Sequence, residues 1–131
     1  MNIPQEVKVG SMTYKVSYED EVHMPLDKPG ISADCWGLCN FAKHQIVINQ
    51  KTRDKQGQEQ TFCHELAHAI MFEQGLRFTD YEIPIEVEEA IIDAFGRGLH
   101  QVILDNKNIF HECTCKDKSE WVEALEEVYN E

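Results

Sequence analysis

Residues 61 to 76 read TFCHELAHAIMFEQGL, and His64, Glu65 and His68 within them have the types and spacing to do chemistry together. On a helix, positions four apart share one face, so His64 and His68 can both offer an imidazole nitrogen to one ion. Glu65 is turned about 100° from His64, which lets its carboxylate reach a water on the open side of that ion. H-E-x-x-H on a helix is the arrangement of zinc-dependent peptide hydrolysis, with the glutamate as general base. The bland alternative is three polar residues on an ordinary helix. A third ligand separates the two.

That ligand must come from further along the chain. The pattern H-E-x-x-H-x-x-G-x-x-H fails, because Met71 stands where its glycine belongs and Gln74 where its last histidine belongs. The stretch EEAIID offers a carboxylate instead. Glu89 and Asp93 are again four apart, hence on one helical face. One of them can bind the metal while the other accepts the spare N–H of a ligating histidine and fixes its tautomer. Glu89 is the preferred ligand because the apolar stripe Ile85, Ile92, Phe95, Leu99 lies beside it; Glu86 and Glu88 are its rivals if the register differs. The expectation is one Zn2+ per chain on His64, His68 and Glu89, with water in the open position and Glu65 as base.

Patterning indicates the elements that hold these side chains. EVKVG and TYKVSY alternate polar and apolar residues across Gly10 and Ser11, which predicts a hairpin. HMPLDKPGISAD reads as loop. CWGLCNFAKHQIVINQ predicts a second strand pair turning around Asn40 to Lys43. QIVIN is its strongest strand and is expected at the sheet edge, where an extended substrate could pair. Asp54 is the expected cap of the HELAH helix, whose stripe is Phe62, Leu66, Ala69 and Ile70 and whose end is marked by Gly75. Pro84 suits the first turn of a second helix running to about Asp105. Asp117 or Ser119 would cap a last helix with Trp121, Val122, Leu125, Val128 and Tyr129 inward. Strands first and helices after predict an α+β fold. Its small antiparallel sheet, from the N-terminal half, packs on an active-site helix, a ligand-bearing helix and a C-terminal helix. No linker divides the chain, so residues 1–131 are expected to form one domain, mostly strand over 1–50 and mostly helix over 54–131.

Composition excludes several classes. The formal net charge of −12 argues against nucleic acid as a partner, since phosphate contacts need clustered Lys and Arg. No apolar run is long enough to span a bilayer, and MNIPQEVKVG lacks the features of a secretion signal, so a cytoplasmic protein is expected. Five cysteines, an odd number, then imply mostly reduced thiols. Cys35, Cys39, Cys113 and Cys115 could form a second, four-thiolate zinc site, but their spacings are not the usual C-x-x-C knuckles. Cys63 reads as a small core residue. His100 would stand about 16 Å along the helix from Glu89, too far to ligate the same ion.

Glu89-x-x-x-Asp93 after His64-Glu65-x-x-His68 resembles the glutamate-zincin pattern of thermolysin-like peptidases. From about residue 6 to residue 105 the chain resembles the small ImmA/IrrE-type metallopeptidases of bacteria, phages and mobile elements. The strand pairs, QIVIN, HELAHAIMFEQG and EEAIIDAFGRGLHQVI carry the likeness. It implies a zinc-dependent endopeptidase acting on a protein or peptide, in a bacterial cell or encoded by a phage or prophage, with relatives that cleave transcriptional repressors. It also implies Glu89 as third ligand and Asp93 as the residue that orients His64. Thermolysin-like sites place a transition-state donor opposite the base; Tyr81 and His111 are the candidates, and spacing assigns neither. The other reading is a zinc-containing protein-binding module without turnover. Glu65 discriminates, because such a module needs no general base.

Overall fold

The computed structural model describes residues 1–25 and 32–108. The expected C-terminal helix, His111, Cys113 and Cys115 lie outside them. Strand β1 (Glu6–Val9) and β2 (Met12–Glu19) form the expected antiparallel hairpin, with Val9 opposite Met12. Gly10, at φ +60°, makes the tight turn between them. Strands β3 (His23–Pro25) and β4 (Ser32–Asp34) pair antiparallel, so the stretch expected to be all loop carries a short ribbon. Strand β5 (Gly37–Asn40) and β6 (Gln45–Asn49) form the second hairpin, where the Asn40 carboxamide accepts the N–H of Lys43 at 3.0 Å.

The sheet order is β1-β2-β6-β5, and two expectations are corrected by it. β6 pairs parallel with β2, so the sheet is mixed and not antiparallel throughout. β6 is also interior, and among the described residues β5 is the edge strand on that side. The sequence QIVIN explains the placement: Ile46 and Ile48 are fully buried, and a strand buried between two neighbours gains more from such residues than an edge strand does.

Helix α1 (Lys55–Glu73) starts at Asp54, whose side chain accepts the Gly57 N–H at 2.8 Å. It is buried on more than one side. Phe62, Cys63 and Ala69 pack with Tyr14, Ile46 and Ile48 against the sheet. Ala67, one turn round, packs on Phe78 and Ile92. Gly75, at φ +83°, ends the helix, and a 3-10 turn (Phe78–Tyr81) leads into α2 (Ile85–Asp105), with Pro84 at the cap rather than within the first turn. Ile92, Gly96 and His100 are the buried positions of α2, whereas Ile85, Ile91, Phe95 and Val102 are exposed. Gly96 permits a close crossing: a Cβ there would stand 2.8 Å from the His64 Cα and 3.0 Å from its nitrogen. At Gly96, α2 comes up against the backbone of the first motif histidine. No described helix is long and apolar enough to cross a membrane.

Candidate metal centre

His64 and His68 point from α1 towards α2, their rings 4.9 Å apart and tilted by 68°. Glu89, on the first turns of α2, meets both. Its Oε2 lies 3.3 Å from His64 Nε2 and its Oε1 lies 3.0 Å from His68 Nε2. The donor atoms of the three residues all lie within 4.8 Å of one another, and among the described residues no other group of His, Cys, Asp or Glu converges in this way. Glu86 and Glu88 line the same cavity without joining the group.

The donor set fits zinc on chemistry and on distance. Two imidazole nitrogens and one carboxylate are the protein ligands of a catalytic zinc site that keeps one position open. With donors about 2.0–2.1 Å from a tetrahedral ion, donor pairs stand roughly 3.4 Å apart. The two histidine–carboxylate separations, each to a different oxygen of Glu89, are of the order of that edge length.

Behind this group, Asp93 places Oδ1 3.3 Å from His64 Nδ1. An N–H on Nδ1 would leave Nε2 with its lone pair facing Glu89 and the convergence point. The other oxygen of Asp93 accepts from Arg97 Nε at 2.8 Å. Arg97 escaped the sequence reading, although the same spacing of four that joins Glu89 to Asp93 joins Asp93 to Arg97. Gly96 escaped it too; glycine inside a helical pattern is the signal that could have found it, although Gly98 shares that signal without the close contact.

Glu65 is 7 % exposed and lines the cavity next to the histidines. Burial raises its pKa, against the opposing pull of His68 and His64. Glu89 behaves oppositely: hydrogen bonds with His64 and then His68 hold its carboxyl well below the usual range. Its bond with Glu89 raises the pKa of His64, with burial working the other way.

The cavity, of about 750 Å³, runs between β5 and the start of α2. Gly37 makes room in its wall, since a Cβ there would stand 2.6 Å from the Thr61 methyl and 3.2 Å from the Glu65 Cγ. At one end Arg53 lies over Trp36, 4.1 Å from the ring centre, and is tied to Thr61 and Gln60 at 3.2 and 2.8 Å. Tyr81 is 65 % exposed on the 3-10 turn and is not among the residues lining this cavity. Cys35 donates its thiol to the Val22 carbonyl at 3.3 Å. Burial raises the pKa of the Cys39 thiol and pushes that of Cys63 up to about 12, so both stay protonated. His100 sits away from the centre, buried with Nε2 3.2 Å from Glu59.

An α+β domain that crosses two helices over a pair of histidines and a carboxylate is of the zinc metallopeptidase type. The family model described as Peptidase_M78, IrrE N-terminal-like domain, matches residues 12–95, and the chain belongs to that family. No curated protein and no solved structure matches the chain.

Proposed function

We infer that the protein is a zinc-dependent endopeptidase that hydrolyses a peptide bond in a protein substrate, a regulatory protein such as a repressor in a bacterial cell. The observation that carries this reading is Glu65. It is a carboxylate outside the donor group, buried beside it and facing the same cavity. A module that only bound zinc and a partner would have no reason to desolvate a carboxyl group at that point, because burial without compensation costs free energy.

In this reading His64, His68 and Glu89 hold zinc, and Asp93 holds His64 in the tautomer that ligates. Zinc, when bound, supplies the charge that polarises the scissile carbonyl and acidifies water. Glu65 takes a proton from the attacking water and passes it to the leaving amine. Burial raises its pKa in the zinc-free chain, and the charge of a bound ion would work against that shift and favour the carboxylate that accepts the proton. The open side of β5 holds the substrate backbone in extended form.

The test is digestion of a denatured protein mixture by the zinc-loaded chain, with new termini identified by mass spectrometry. Glu65→Gln should retain one zinc per chain and lose turnover by at least about 100-fold, the usual contribution of a positioned base. Cleavage that survives in Glu65→Gln would sink the mechanism.

A further inference from the structure

The groove does not end at the metal site. Phe41, His68 and Glu88 line both the main cavity and a second one of about 210 Å³, so the two adjoin at His68. The second cavity is apolar where the first is mixed. Met71 and Phe72 from α1, Phe78 from the 3-10 turn and Ile92 from α2 wall it, and the last two are buried. Phe41 stacks on Phe72 with centroids 4.3 Å apart and planes 6° from parallel, and the Arg77 guanidinium lies 4.5 Å from the Phe72 ring centre. These contacts hold the aromatic wall in place. An apolar cavity of about 150 Å³ can hold a benzene ring, so this one has room for a Leu, Ile, Met or Phe side chain.

The sheet edge gives the pocket a direction. Trp36 O accepts from Asn49 N at 2.8 Å. By the two-residue alternation of an antiparallel ladder, Leu38 and Asn40 then bond to β6, while Gly37 and Cys39 turn their backbone groups to the open side. β5 and α1 run the same way along the groove: Gly37 abuts Thr61 and Glu65, whereas Phe41 meets Phe72. Antiparallel pairing is the more stable per residue. A peptide bound so on β5 has its N-terminal part at the Phe41 end and its C-terminal part at the Trp36 end.

We propose that the cavity walled by Phe41, Met71, Phe72, Phe78 and Ile92 is the specificity pocket, reading an apolar side chain on the N-terminal side of the cleaved bond. The proposal rests on the peptidase reading and adds the class of substrate, an extended segment with Leu, Ile, Met or Phe at one fixed position. Apolar pockets discriminate by about 10- to 200-fold per methylene, so replacing that residue by Ala or Asp should lower kcat/KM by at least about tenfold.

Two measurements test it separately from the reading on which it rests. In the first, the zinc-loaded protein digests a peptide library and the cleaved bonds are mapped. Leu, Ile, Met and Phe should concentrate at one position N-terminal to the bond, and the bias should weaken in Met71→Trp and in the rim variant Thr79→Trp. In the second, N-acetyl-leucinamide is added to the unmodified protein and methyl resonances are followed by NMR. Met71 and Ile92 should shift, and N-acetyl-aspartamide should leave them in place. Cleavage with no apolar bias, or with bias only on the C-terminal side, overturns the pocket and leaves the peptidase reading standing. If no peptide is cleaved, the peptidase reading falls and takes the assignment to one side of a cleaved bond with it; shifts at Met71 and Ile92 would then sustain only the binding of an apolar side chain in this cavity, and their absence would overturn that as well.

Discussion

Glu89 is the side chain on which the candidate metal site turns, because it alone comes from α2 to meet both histidines of α1. Asp93 meets only His64, and from the side away from the convergence point. Asp93→Ala should therefore weaken zinc binding by about 10- to 100-fold, the range for losing a partner that orients a ligand. Glu89→Ala should cost more than that. Dissociation constants for the two single mutants decide the assignment, and a milder loss in Glu89→Ala would exchange their roles. The same contacts set a pH dependence. In the zinc-free chain Glu89 raises the pKa of His64, so the proton stays bound above the usual histidine value of about 6.5. Zinc must displace that proton, and its apparent affinity should climb as pH rises through the raised value. Stability of the zinc-free chain runs the other way. The His64 contribution is complete below about pH 6.5 and is lost as pH rises through the folded-state pKa. The Glu89 contribution is present above about pH 4.3 and is lost as pH falls towards its lowered pKa. Thermal melts of chelated protein should thus fall as pH rises above about 6.5, and a flat profile would refute the coupling.

The crossing of α1 and α2 transmits this chemistry to the fold. Gly96 lies against the backbone of His64, where a Cβ would come within 2.8 Å. Backbone cannot give way as a flexible side chain can, so Gly96→Ala has to push the helices apart or tilt them. We expect a loss of about 1–3 kcal/mol, together with weaker zinc binding, because Glu89 rides on the displaced helix. Melting temperature and zinc affinity should fall together; Gly98→Ala, with nothing within 4 Å of its Cβ position, should spare both. A Gly96→Ala protein with unchanged zinc affinity would mean that the crossing does not set the site. Much of this architecture was legible in local patterns. The β1–β2 hairpin, the Asp54 cap and the end of α2 near Asp105 depend on neighbours in sequence, and they lie where alternation, capping residues and periodicity put them. The placement of β6 between β2 and β5 was not legible, because strand pairing across α-carbon neighbours far apart in sequence leaves no period to read. Periodicity also shows that α2 has an apolar side without showing what covers it. Ile85 and Phe95 fit the stripe and are exposed, while the glycine at 96 takes the buried contact.

The candidate zinc site joins parts of the chain that are packed into separate clusters. α1 contributes Phe62 and Cys63 to the sheet cluster and Ala67 to the cluster with Phe78 and Ile92, so one helix belongs to both. His64 and His68 sit on that helix and Glu89 on the other. An ion bound by all three favours only the state in which the sheet, α1 and α2 are assembled, since the unfolded chain offers no preformed site. Its effect should therefore reach the whole cooperative unit and not one helix pair. Binding of this kind stabilises by about 2.7 kcal/mol at one hundred times the dissociation constant. For a chain of this length, at roughly 3–5 °C per kcal/mol, the melting temperature should rise by roughly 10 °C. Calorimetry should show one transition for residues 1–131 in the chelated protein, moved upward as one peak when zinc is added, as expected of a single domain. The shift should be smaller in Glu89→Ala and close to the full size in Glu65→Gln, which keeps every ligand. Two peaks, of which zinc moves only one, would divide the chain into separate folding units and remove the single-domain reading.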